Sequence, residues 1–185
     1  MSYEFQITRR VEFFETDLAG IMHFSNFFRF MEAAEHAFFR SLGFSVTRSH
    51  NGLALCLPRV HAECDYAVPL CFDDEVQVRL LVERKGRRSL TYQFRFSRLN
   101  GSSSQEVARG RLTVASVKRQ ADGAMKAVPL PKVIADKIQQ APAQVLGDGA
   151  FAKANSSSFR GRPRSERPKR PRLSPSRKLQ HSINR

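Results

Sequence analysis

The stretch Glu15 to Gly43, ETDLAGIMHFSNFFRFMEAAEHAFFRSLG, decides the fold. From Asn26 to Leu42 the apolar residues Phe27, Phe28, Met31, Ala34, Phe38 and Leu42 recur largely at spacings of three and four, which places them on one helical face. Ser25 or Asn26 is the expected cap at its start, and Gly43 the expected left-handed stop. Phe30 and Phe39 fall away from the main stripe, so this helix is apolar around most of its circumference and needs covering on most sides. Ahead of it, ETDLAGIMHF (15–24) holds Asp17 and the flexible Gly20 in a connection that is unusually apolar for a surface loop. Something is expected to lie against it.

Working outward, Tyr3 to Phe14 alternates Phe5, Ile7, Val11 and Phe13 with polar residues, the period-2 pattern of a half-buried strand. After the helix, Leu53 to Val68, Glu75 to Glu83, Ser89 to Arg98 and Val107 to Val117 have strand character. The third of these alternates Leu90, Tyr92, Phe94 and Phe96 with Thr91, Gln93, Arg95 and Ser97. NGSSS at 100–104 reads as a hairpin turn. Pro129 and Pro131 end the extended region, and Lys132 to Gln140 suits a short final helix. No repeat of fixed period and no βα alternation is present, which disfavours a doubly wound parallel sheet. The expected class is α+β: a curved antiparallel sheet of about five strands wrapped around one long helix.

The 185 residues carry 31 Lys and Arg against 17 Asp and Glu, a net charge of +14 that on its face suggests a nucleic-acid binder. Its distribution changes that reading. Residues 1–140 hold 20 basic and 15 acidic side chains (+5), and residues 141–185 hold 11 and 2 (+9). The chain therefore divides into one domain, 1–140, and a basic Ser/Arg/Pro-rich tail, 141–185, too poor in apolar residues to pack a core and expected to be disordered when alone. No apolar run approaches the roughly 18 residues of a membrane span. The N-terminus lacks an apolar leader, and Cys56, Cys64 and Cys71 form no CxxC pair. A cytoplasmic setting is the expectation. His36, His50 and His61 have no ligand spacing with each other or with the cysteines, so no metal is expected.

Glu15 to Gly43 resembles the signature of the hotdog-fold acyl-CoA thioesterases, specifically the 4-hydroxybenzoyl-CoA thioesterase family: Asp17, Gly20, the apolar Ile21 and Met22, then Asn26 and Glu32. A second block, CDYAVPLCFDDEVQV (64–78), matches that family's Asp-Tyr, Pro-Leu and Asp elements. The resemblance covers about residues 3–140. It implies a hotdog fold and hydrolysis of an acyl-CoA thioester without metal or cofactor. In that chemistry Asp17 acts as nucleophile or as general base for water. Backbone N–H groups of Phe24 and its neighbours at the helix entrance polarise the carbonyl, with Asn26 beside them and Gly20 allowing close approach of substrate. Read by itself, an Asp after a strand is also a common turn former. His23 suits proton transfer near neutral pH, or simply a hydrogen bond to backbone. Relatives carry a His or Tyr at the next position, which here is Phe24.

ERKGRRS (83–89) sets Arg84, Lys85, Arg87 and Arg88 around Gly86 at a strand connection. By the resemblance, Arg87, Arg88 and Ser89 grip the phosphates of CoA; a solvated turn is the alternative. Glu32 and Glu35, on an enclosed helix, are expected to find an Arg or backbone partner. Phe27, Phe28 and Met31 are expected in the core more than in an acyl pocket. The resemblance also implies a homodimer or homotetramer, with Asp17 and the basic cluster meeting across chains. A competing reading is a non-catalytic hotdog module whose tail binds nucleic acid or another anion without sequence preference.

Overall fold

In a computed structural model, residues 2–44 and 56–147 are described. His50, the first residues of the expected strand 53–68, and the tail from 148 onward lie outside them. Strand β1 (Glu4–Arg10) leads through a loop to helix α1 (Ser25–Ser41), followed by β2 (Arg59–Tyr66), β3 (Glu75–Lys85), β4 (Ser89–Asn100) and β5 (Ser103–Ala115). A ribbon of β6 (Val117–Arg119) and β7 (Met125–Ala127) and the single turns α2 (Lys132–Ala135) and α3 (Ala143–Leu146) complete the chain. The five long strands form one antiparallel sheet in the order β1-β3-β4-β5-β2.

The helix lies against the inner face of this sheet. Phe27, Phe30, Met31, Ala34, Phe38 and Phe39 are all buried, so the two off-stripe phenylalanines are covered as expected. Their partners are the inward residues of β3, β4 and β5, among them Val78, Leu80, Phe94, Phe96 and Leu112. Gly43 takes φ +86° and ends the helix.

Four expectations are corrected. The helix begins without a side-chain cap, because Ser25 and Asn26 lie inside its first turn and spend their polar groups elsewhere. The hairpin shrinks from five residues to Gly101 and Ser102, since Asn100 already pairs with Ser103, so β5 starts earlier than Val107. Of the strand expected over 53–68, the described residues form it from Arg59 to Tyr66, after Pro58, which has no N–H for a ladder. The final helix is one turn, Lys132–Ala135, with Ile138 buried beyond it. Past residue 140 the chain stays docked: the Ala141 N–H donates to the Val82 carbonyl, and the Arg95 guanidinium to the carbonyls of Val145 and Leu146.

Where α1 crosses β5, Gly110 leaves room for Met31. A Cβ at Gly110 would lie 2.4 Å from the Met31 sulfur and 3.4 Å from the Glu63 carbonyl oxygen. Gly110→Val is therefore expected to lower stability by about 1–3 kcal/mol through overpacking, read as a lower urea midpoint. Gly110→Ala should cost less, because the Met31 thioether can swing aside.

Candidate active site

The loop between β1 and α1 is organised around one backbone carbonyl. A 3-10 turn at Phe13–Glu15 buries the Glu15 carboxylate, which accepts the Glu12 N–H at 3.0 Å. The Glu15 carbonyl accepts the His23 N–H (2.9 Å) and the Asn26 side-chain amide (2.7 Å). Asn26 thus ties the loop to the helix through its side-chain amide. Between these anchors the chain folds on itself: the Asp17 N–H donates to the Ile21 carbonyl and the Gly20 N–H to the Asp17 carbonyl, both at 2.9 Å. Gly20 has φ +75° with nothing within 4 Å of a would-be Cβ, so the turn itself requires the glycine and the space beside it is open.

Asp17 is exposed at the tip of this loop. Its Oδ1 accepts the Ala19 N–H at 2.8 Å, an Asx turn that orients the carboxyl group, and Oδ2 has no hydrogen bond among the described residues. The turn-forming and chemical readings of Asp17 are therefore compatible, one for each oxygen. The carboxyl group lines a cavity of about 330 Å³ with Ile21, Met22, Phe24, Phe27, Tyr66 and residues 67–70. Phe24 caps α1, and its N–H makes no hydrogen bond among the described residues. The start of a 17-residue helix carries partial positive charge. Asp17, with one carboxylate oxygen uncommitted, and Phe24, with an open N–H at such a helix start, thus line one apolar cavity.

His23 is not part of that lining. Its Nδ1 lies 2.8 Å from the Ser25 hydroxyl and its ring stacks on Phe24 at 4.4 Å. Of the residues expected in an acyl pocket, Phe27 lines it; Met31 is fully buried under Gly110, and Phe28 packs against the core.

Arg87, Arg88 and Ser89 are held far from Asp17 within one chain. The Asp17 loop joins the sheet where the Val11 N–H meets the Asp74 carbonyl, at the Glu75 end of β3, whereas Arg87 and Arg88 follow its Lys85 end. Ten residue steps along a strand span about 30 Å. Lys85 is removed from any grip, because its ammonium donates to the carbonyls of Ala135 and Ile138. Arg84, Arg87 and Arg88 make no ion pair among the described residues. Beside them, tied by the Ser116 N–H to the Arg88 carbonyl, the ribbon sets Lys118 directly opposite Lys126. Elsewhere on the sheet Arg79 is paired with Glu4, and Arg111 with Glu63 and Glu83.

Glu32 and Glu35 do find an arginine. Arg59, the first residue of β2, lies 2.6 Å from Glu35 and 3.0 Å from Glu32. Burial pushes the Glu35 carboxyl up to about 7, against the opposing pull of Arg59. Among the described residues no three His, Cys, Asp or Glu side chains gather as a metal site, and no helix is long and apolar enough to cross a membrane. Sequence reasoning missed Tyr66 as a wall of the Asp17 cavity and Arg59 as the partner of both glutamates.

The profile of the Thioesterase-like superfamily matches residues 11–138. An esterase-named protein of Aquifex aeolicus is 41% identical over 87 residues, 46% of this chain and 66% of the relative, so that match spans just under two thirds of the relative's length. A 1,4-dihydroxy-2-naphthoyl-CoA hydrolase of Synechococcus elongatus is 29% identical over 141 residues, 74% of this chain and 96% of the relative. Among solved structures, an Aquifex aeolicus protein of unassigned activity superposes with TM-score 0.63 at 32% identity, over 73% of this chain and 99% of that one. A 4-hydroxybenzoyl-CoA thioesterase variant bound to 4-hydroxybenzoyl-CoA superposes with TM-score 0.67 at 20% identity, over 75% of this chain and all of that one. With a profile match across most of its length and a five-stranded antiparallel sheet wrapped on one long helix, this chain has the hotdog fold and belongs to the Thioesterase-like superfamily.

Proposed function

We propose that this chain hydrolyses acyl-CoA thioesters to the free acid and CoA. The observation that carries the reading is that Asp17 and Phe24, the residue whose backbone N–H is unpartnered at the helix start, line one apolar cavity. The relatives named as CoA-thioester hydrolases support it. As general base, Asp17 takes a proton from a water molecule as its oxygen bonds to the acyl carbon. The carbonyl electron pair moves onto oxygen, facing the Phe24 N–H. The pair then returns, the C–S bond breaks, and the proton held on Asp17 ends on the CoA thiolate. Direct attack by Asp17 through an anhydride is the other route open to the same carboxyl group. His23, held by Ser25, has no part in either.

The phosphates of CoA are assigned to Arg87 and Arg88 of a second copy. Strand β2 is one of the two edges of the sheet, more exposed than β1 at the other and open on both faces over most of its length, and an unpaired edge is a template for another strand. Through β5 its Arg59 end lies level with Leu90 beside the basic turn, and its Tyr66 end with Phe96 toward the Asp17 cavity. Antiparallel pairing of two copies along β2 sets the basic turn of one against the cavity end of the other.

Thiol release from a panel of short, long and aromatic acyl-CoAs tests the activity, and Arg87→Ala with Arg88→Ala is expected to raise KM at least tenfold with kcat little changed. Refolding that double variant together with an Asp17→Asn chain should restore hydrolysis at low substrate, because a mixed dimer holds one complete site. No restoration in a mixed dimer overturns the two-chain site, and no thiol release from any acyl-CoA overturns the reading.

A further inference from the structure

Of the side chains lining the Asp17 cavity, two carry oxygen: Asp17 itself and Tyr66. The other walls, including Ile21, Met22, Phe27 and Leu70, are apolar. Tyr66 itself is 42% exposed, so its hydroxyl stands at the mouth of the cavity, between the apolar walls and solvent, and is shielded from water only once an acyl group fills the cavity. Tyr66 is the last residue of β2, and its ring packs edge-on against Phe27 at 5.0 Å, which in turn packs on Phe96 of β4 at 5.2 Å. That stack fixes the ring against the sheet. The hydroxyl lies 3.5 Å from the Phe24 carbonyl oxygen, the outer limit of hydrogen bonding, and its other neighbour is the Cys64 thiol, a weak partner, so a stronger acceptor can take the donor from both. It sits on the carbonyl side of Phe24, the residue whose N–H is open at the helix start.

We propose that the Tyr66 hydroxyl is a second hydrogen-bond donor to the thioester carbonyl oxygen, acting with the Phe24 N–H on the charge that develops there. This rests on the thioesterase reading given above. Burial, reinforced by the neighbouring Cys64, holds the phenol proton above the ordinary tyrosine range, so Tyr66 keeps its proton throughout and the proton of water travels by Asp17. A short interaction with the ground-state carbonyl that tightens on the oxyanion raises kcat more than it lowers KM.

Tyr66→Phe keeps the ring and its contact with Phe27, so the variant is expected to melt with the wild type. Its kcat should fall about 100-fold, as for loss of one oxyanion donor, with KM within about twofold. In an Asp17→Asn background, where acyl-CoA stays intact, the thioester C=O infrared band of bound substrate should move to lower frequency, and the added Tyr66→Phe change should return part of that shift. If the wild type turns over acyl-CoA and Tyr66→Phe matches its kcat, or raises only KM, the role of Tyr66 is overturned. A wild type that releases no thiol overturns the thioesterase reading beneath it.

Discussion

Replacing Asp17 with Asn is expected to lower kcat for acyl-CoA hydrolysis by about 10³-fold or more while leaving thermal stability within a degree or two of wild type. The two halves follow from the two oxygens of one side chain. Oδ1 accepts the Ala19 N–H, and an amide oxygen accepts it equally well, so the Asx turn survives. The rest of the loop is held by backbone groups and by the Glu15 carbonyl, none of which the substitution touches. The outward atom, by contrast, becomes an NH₂ group, which can neither take a proton from water nor attack the acyl carbon. Loss of a positioned base alone is worth about 10²–10⁴ in rate. Asp17→Ala should be equally inactive and also slightly less stable, since it gives up the turn bond. Thiol release under saturating acyl-CoA, beside thermal melts of both variants, separates the two effects. An Asn variant that keeps a tenth of wild-type kcat removes Asp17 from the chemistry.

That Asp17 stands out in the sequence as a candidate, while Tyr66 shows there only as part of the Asp-Tyr element of the resemblance, has a physical reason. The helix announces itself by local spacing, and Asp17 and Gly20 sit in a loop whose apolar content is itself an anomaly. Tyr66 belongs to HAECDY, on a strand with both faces largely exposed, so no alternation reports its direction. Which strand forms the sheet edge is decided by pairing across the whole chain, with β2 meeting β5 at separations of roughly 40 residues and more. The same holds for Arg59, whose partners Glu32 and Glu35 lie on the helix, on the far side of a long connection. The ribbon has a local signal of its own: Asp122-Gly123, with Gly123 at φ +87°, is a strong hairpin turn. The cap failed because Ser25 and Asn26 are suitable residues whose groups meet better partners, the His23 ring and the Glu15 carbonyl.

Glu35 carries the second large prediction, one about stability. It is 1% exposed, with its Oε2 on Arg59, while Oε1 and the fully buried Tyr92 hydroxyl both lack a well-formed hydrogen bond. Glu32 shares the same arginine, and His36, which burial shifts toward its neutral form, adds no firm positive charge. The folded carboxyl titrates near 7, raised from 4.5 chiefly by burial. Between those two values the folded state binds a proton that the unfolded state has released, so this group makes stability fall as pH rises from about 4.5 to 7 and leaves it flat above. The whole change amounts to about 3 kcal/mol. Glu35→Gln should remove that slope: urea midpoints of variant and wild type should nearly coincide at pH 5, and the variant should be the more stable at pH 8. Arg59→Ala should do the opposite, costing about 3–5 kcal/mol at pH 8, where it strands a buried carboxylate, and much less at pH 5, where Glu35 takes up a proton in place of its lost partner. In the double variant, Glu35→Gln should rescue most of the Arg59→Ala loss at pH 8, because an amide needs no counter-charge. A wild-type chain whose stability relative to Glu35→Gln stays constant between pH 5 and pH 8 shows instead that Arg59 keeps Glu35 ionised in the folded core throughout.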